Sequence, residues 1–181
     1  MDLEATYYQM VTLCVSPTKV YKSAYYRKQT KNRWARDDPA FAVIQVLCFL
    51  LIPVSARSPA TDTFFVAQAV EWQYAFDIHC NSFFIFFLVV HVLQFLFLPW
   101  LLSPSLVSLV VANTIYAVGC GSYVYITFLG YMALPFLHHT ERFLYPIVAI
   151  GGLYLSSVVL QLVFGATFNV ALMSATYYYI T

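Results

Sequence analysis

The chain opens with a polar and aromatic stretch, residues 1–18, that turns at Ser16-Pro17 and reads as a lead segment or a short helix. Residues 19–36, KVYKSAYYRKQTKNRWAR, interleave basic and aromatic positions. Asp38-Pro39 then marks a helix start, because an Asp side chain accepts from orphan amides and Pro fits the first turn. From there apolar runs dominate. Ala40–Val54 is shorter than the about 20 residues needed to cross a bilayer core, so it predicts a short helix that lies in the interface or re-enters. A mixed stretch follows, with a polar segment at Ser55–Thr63. Phe83–Leu102, Leu106–Leu129 and Phe143–Phe164 are each uncharged and long enough to span. Ser103-Pro104 offers a cap-plus-Pro start for the second, and Thr140 with Glu141 a cap and a first-turn acid for the third. The tail, Ala166–Thr181, is apolar but short, and its Tyr177-Tyr178-Tyr179 cluster suits a membrane interface. The pattern predicts an all-α polytopic transmembrane helix bundle: three long spans plus one short N-terminal apolar helix. Residues 1–38 form an arm and residues 39–181 the membrane domain.

Composition narrows the class. Of the 181 residues 61% are hydrophobic and only 9% charged, against roughly a quarter charged in soluble domains. That surface budget excludes a cytosolic globular enzyme, and the hydrophobicity excludes disorder. The 15 Tyr, 16 Phe and 3 Trp suit a chain with much interfacial surface. The 4 cysteines are scattered without a CxxC pair, which predicts small apolar side chains and no disulfide framework. Met1-Asp2-Leu3-Glu4 lacks a basic stretch, so no cleaved signal peptide is expected.

Charge sets the expected orientation. All of the 9 Lys and Arg residues except Arg57 and Arg142 lie between Lys19 and Arg36. A basic segment beside an apolar run stays cytoplasmic by the positive-inside rule. With a non-crossing Ala40–Val54, Arg57 and Arg142 also fall on the cytoplasmic side and the tail is lumenal. With a fourth crossing, both fall on the far side. The first arrangement fits the rule better.

Candidate chemistry is sparse. The arm sets Arg27, Lys28, Lys31, Arg33 and Arg36 beside Trp34; this composition admits membrane lipid headgroups, an acidic partner or RNA, and does not separate them. Glu71, Trp72, Tyr74, Phe76 and Asp77 alternate aromatic and acidic positions in an expected loop, a pattern for an aromatic anchor with a charged rim or for an interfacial segment. His91, Gln94 and Asn113 fall inside spans, where polar groups are costly and face the bundle interior. Interhelical hydrogen bonding is their expected role; a transport path is the alternative. Adjacent His138 and His139 diverge by about 100° on a helix and make a poor chelating pair, so no metal, cofactor or catalytic residue is expected, and a membrane metalloenzyme stays a rival reading. Ala117-x-x-x-Gly121 and Gly152-x-x-x-Ser156 place small residues for close helix packing.

Three stretches resemble the unc-fifty family of Golgi membrane proteins. They are Tyr26-Arg27-Lys28-Gln29-Thr30-Lys31 with Trp34-Ala35-Arg36-Asp37-Asp38-Pro39-Ala40-Phe41; Val70-Glu71-Trp72 with Tyr74-Ala75-Phe76-Asp77, His79, Asn81 and Phe83; and Tyr125-Ile126-Thr127-Phe128-Leu129-Gly130-Tyr131 with Ala133-Leu134-Pro135-Phe136-Leu137 and Tyr145-Pro146. The resemblance implies a non-enzymatic, multi-pass Golgi membrane protein with a cytoplasmic N-terminus. It implies a role in vesicle-mediated protein transport through recruitment of a large Arf guanine-nucleotide exchange factor, and in surface delivery of nicotinic receptor cargo. RNA binding has also been attributed to the family. The chain departs from the family's five spans: Phe41 and Val70 are too close to hold the two that precede the Glu-Trp-x-Tyr-Ala-Phe-Asp stretch. Loss of two crossings preserves the downstream orientation, which agrees with the charge argument.

Overall fold

The computed structural model describes residues 3–34, 36, 40–44, 72–103, 105–135, 137, 140–164 and 169–179. Every regular element among them is helical. Helices α1 (Leu3–Val15) and α2 (Pro17–Lys31) form the arm. Residues 40–44 make one helical turn; residues 45–54 of the expected short helix lie outside the described residues. A long rod, α3 (Trp72–Leu101), is followed by α4 (Leu106–Met132). A 3₁₀ turn, Thr140–Leu144, leads into α5 (Tyr145–Phe164), and a short α6 (Val170–Tyr179) ends the fold. Three helical stretches, Trp72–Leu101, Leu106–Met132 and Thr140–Val163, are long and apolar enough to cross a membrane.

The spans differ from the expected bounds in instructive ways. The first begins at Trp72 rather than Phe83, so the expected Glu71–Asp77 loop is helix from Trp72 onward. Asp77 and Asn81, which break the apolar run, sit one turn apart on one face and bind the arm. They interrupt the hydropathy without interrupting the helix. Inside α3, Leu88–Leu93 forms a π-helical turn, and Pro99 follows in the last segment. The residue preceding α4 is Ser105, extended at φ −118°, rather than Ser103.

Helix α4 is the central strut and the most buried of the three spans, and the Thr140–Val163 span is the least buried. It contacts α2, α3, α5 and α6. Its approach to α3 depends on two glycines. A β-carbon at Gly130 would sit 2.7 Å from Ile78 Cγ1, and one at Gly119 would collide with the Val90 side chain. The small-residue pairs singled out by spacing do not do this work within the chain, since Gly121 and Gly152 face open space.

The bundle has two differently built ends. At one, Leu13, Val20, Tyr21, Ala24 and Trp34 of the arm pack with Tyr74 and Ile78 of α3 and Leu129 of α4. The arm is therefore docked, not free. At the other, Leu101, Ala112, Ile115 and Ala171 form a smaller apolar cluster. Polar side chains lash α6 to it. Asn113 Nδ2 donates to Ser157 Oγ (3.0 Å), and Asn113 Oδ1 accepts from the Val170 amide (3.1 Å). Asn169 caps α6 by accepting from the Leu172 amide and donates to the Leu101 carbonyl. Gln94 Nε2 and the Tyr116 hydroxyl both donate to Ser174 Oγ. The tail is thus a helix closed back onto the bundle.

Candidate interaction surface at the arm end of the bundle

The arm reaches α3 because α2 ends sharply. Asn32 adopts a left-handed conformation (φ 54°, ψ 24°), and its amide donates to the Lys28 carbonyl at 3.0 Å. Asn is one of the few residues other than Gly that tolerates this geometry, and here it reverses the chain. Lys28 Nζ reaches back to the Asn32 carbonyl at 3.1 Å.

The reversal inserts Trp34, which is only 6% exposed. Its ring lies 6.3 Å from Tyr25 and 5.7 Å from Tyr74, and Lys28 Nζ stands 6.0 Å from its centroid. Arg27 Nη2 donates to the Trp34 carbonyl at 3.4 Å. Two residues on, the Arg36 amide donates to Asp77 Oδ2 at 2.9 Å, and Arg36 Nη2 donates to Asn81 Oδ1 at 2.6 Å. The guanidinium carbon stands 4.5 Å from the Phe41 ring centroid. Burial pulls the Arg36 guanidinium below its usual range, and the negative field of Asp77 works against that pull. Beneath this node the Tyr74 hydroxyl donates to the Gly130 carbonyl at 2.9 Å. Burial also pushes the Tyr21 phenol up to about 12.

The residues singled out from the sequence thus divide by burial. Arg27, Lys28, Trp34, Arg36, Tyr74 and Asp77 converge on the internal node that fastens arm to bundle. Lys31 and Arg33 remain exposed. Glu71 lies outside the described residues. The alternating aromatic patch changes its membership. In a helix, positions four apart share a face and positions two apart do not. Trp72 and Phe76 accordingly stack on the surface, with centroids 5.8 Å apart and planes at 12°, while Tyr74 turns inward at 2% exposure. Trp72 is 77% exposed.

Residues that were not among the site candidates also build this node. Tyr21, Asn32, Asn81 and Gly130 hold it together. Asn81 and Gly130 carried a signal only as members of the family-like stretches, and Asn32 as an Asn after a helix ending in Lys. Elsewhere His79 Nδ1 meets the Tyr123 hydroxyl at 2.7 Å, and His91 lies against the rings of Phe86 and Phe87. Among the described residues no three His, Cys, Asp or Glu side chains converge in a way that would hold a metal ion; His138 and His139 fall outside them.

Comparison with known proteins adds a family. The model described as the UNC-50 family matches residues 1–61 and 54–179. The chain is 42% identical to a Dictyostelium discoideum protein named unc-50 homolog, covering 88% of this chain and 77% of the relative. It is 38% identical to Caenorhabditis elegans protein unc-50 over 81% of this chain and 61% of that one. Against the human unc-50 homolog it is 35% identical over 85% and 74%. The first of these alignments runs over 202 positions, although it uses only 88% of the 181 residues here. Some positions of the relative therefore have no counterpart in this chain. No solved structure matches.

Proposed function

The chain belongs to the UNC-50 family, and from that premise we propose that it is a non-catalytic Golgi membrane protein that supports vesicle-mediated protein transport by presenting a cytoplasmic docking face. The observation that carries this reading is the sidedness of the bundle. The arm's cations and the Arg142-bearing turn lie at one end, where Tyr131 stacks on Phe143 at 4.7 Å. The far end carries no Lys or Arg among the described residues. The positive-inside rule then favours the arm end as cytoplasmic.

That end also carries the stacked, exposed Trp72–Phe76 pair, with Lys31 and Arg33 exposed on the arm that docks beside it. An exposed aromatic pair with a cationic rim has the composition of a protein-binding hot spot, and a large Arf exchange factor with an acidic surface is the partner proposed. Receptor delivery to the cell surface follows as the downstream consequence of such recruitment.

The test is recovery of the exchange factor on Golgi membranes from cells carrying Trp72→Ala with Phe76→Ala, or Lys31→Glu with Arg33→Glu. Truncating a hot-spot aromatic costs about 2 kcal/mol, roughly a thirtyfold weaker association. The reading predicts loss of recruitment with normal insertion and location of the chain. Unaltered recruitment in both double variants would defeat it.

A further inference from the structure

Between the basic helix α2 and the last turn of α4 lies a cleft of about 200 Å³, lined by Thr18, Tyr21, Lys22, Tyr25, Leu129, Met132 and Ala133. Its floor is apolar and its rim carries one cation. Helix α2, Pro17–Lys31, holds Lys19, Lys22, Arg27, Lys28 and Lys31 and no acidic residue. Lys22 makes no ion pair among the described residues, and its side chain is exposed.

The depth of the cleft follows from helix length. The 27 residues of α4 at 1.5 Å each extend about 40 Å, against a hydrocarbon core of about 30 Å. The last turn, with Leu129, Met132 and Ala133, therefore stands in the headgroup layer. Just inside it, Val118 and Tyr125 continue the same face of α4, spaced seven apart with Met132, and all three are exposed to more than 40%. The cleft thus opens onto an apolar stripe that descends into the bilayer. Tyr25 and Tyr26, both exposed, stand at the aromatic-belt level.

We infer that this cleft holds one anionic phospholipid of the leaflet on the arm side, with its phosphate against Lys22 and the Thr18 hydroxyl and an acyl chain along the Met132–Tyr125–Val118 stripe. The volume is too small for a drug-sized molecule, whose pockets begin near about 300 Å³, and suits a headgroup with the first carbons of its chains. A polar rim above an apolar floor matches a molecule that is charged at one end and apolar at the other. The Lys22 cation on the rim selects a negative headgroup over a zwitterionic one. The inference requires only that the helices span a membrane. It does not depend on the exchange-factor reading, which rests on a different face of α2 and α3.

The test uses the full chain purified in mild detergent after exposure to a one-to-one mixture of phosphatidylserine and phosphatidylcholine, with retained lipid read by native mass spectrometry. Wild type should retain one phosphatidylserine in preference to phosphatidylcholine. Lys22→Ala should lower that preference about fivefold, the equivalent of one surface cation. Ala133→Trp, which fills the cleft without removing charge, should abolish it while the helical circular-dichroism signal persists. Lys31→Glu, away from the lining, should leave it intact. Equal retention of phosphatidylcholine would overturn the assignment, as would retention unaffected by Lys22→Ala and Ala133→Trp. A preference lost equally in Lys31→Glu would reduce it to diffuse attraction by the arm. A dimer whose population falls with Ala133→Trp would assign the cleft to a second copy of the chain instead.

Discussion

The backbone amide of Arg36 donates to Asp77 Oδ2 at 2.9 Å across 41 residues of sequence, a polar tie between the arm and the first span. The same Arg36 gives its Nη2 to Asn81 one turn further along α3. A single residue of the arm thus engages two acceptors on one helix face, so removal of either acceptor leaves a buried donor short of a partner.

Asp77→Ala should therefore release the arm. Hydrogen bonds to charged groups contribute about 1.5–3 kcal/mol, and the Arg36 guanidinium would stay buried without its counter-field. Hydrogen exchange should show the α2 amides exchanging at least tenfold faster in the variant, with the α4 amides unchanged. Asp77→Asn keeps an acceptor and should fall between the two. Equal protection of α2 in wild type and Asp77→Ala would mean that the apolar contacts of Val20, Tyr21 and Ala24 suffice.

The two packing glycines predict a contrast with two that face open space. Gly119→Ala and Gly130→Ala each force a β-carbon into Val90 or Ile78, a strain of about 1–3 kcal/mol for overpacking. Gly121→Ala and Gly152→Ala meet open space. Thermal unfolding in detergent should drop for the first pair and hold for the second. The reverse ranking would mean that Gly121 or Gly152 seats another subunit.

At the far end, Asn113→Ala removes a donor to Ser157 and an acceptor for the start of α6. Intramembrane polar contacts average about 0.6 kcal/mol each, so the loss should be near 1 kcal/mol. It should appear as faster protease cleavage of the tail, with the arm end untouched. Cleavage at the wild-type rate would show that Gln94, Tyr116 and Asn169 hold α6 without it.

Tyr21 makes arm docking sensitive to alkali. Its phenol rises from an ordinary value of 10.0 to about 12 through burial, so the folded arm keeps a proton that the undocked arm gives up. The associated stabilisation is complete below pH 10 and is lost as pH climbs towards 12. Difference titration at the tyrosinate absorbance band, wild type minus Tyr21→Phe, should place this phenol's ionisation well above that of an exposed tyrosine. A transition near pH 10 would place Tyr21 in water.

The three spans were legible because an uncharged run of this length has few other destinies, and α4 begins at Leu106 as its apolar pattern indicates. The start of α3 was not legible. Gln73, Asp77, His79 and Asn81 lower the local hydropathy, and no linear window reveals that Asp77 and Asn81 turn towards a partner more than forty positions upstream. The arm misled in the same way. Its charges announce a solvated segment, but Val20, Tyr21 and Ala24 recur at a helical spacing among them, and that weak stripe is what docks. The roles of Trp34 and Tyr74 depend on this tertiary contact, so their aromatic character alone left them as candidates for an external anchor.

The wide turn at Leu88–Leu93 carries one residue more than a regular helical turn accommodates. Were the same residues wound as an ordinary helix, the first half of α3 would swing by roughly 100° against its second. Asp77 and Asn81 would then leave Arg36 while Gln94 kept Ser174. The bulge works as a phase adjuster: it lets one continuous rod serve two docks, the arm at one end and the tail at the other, whose azimuths an uninterrupted helix would put out of step.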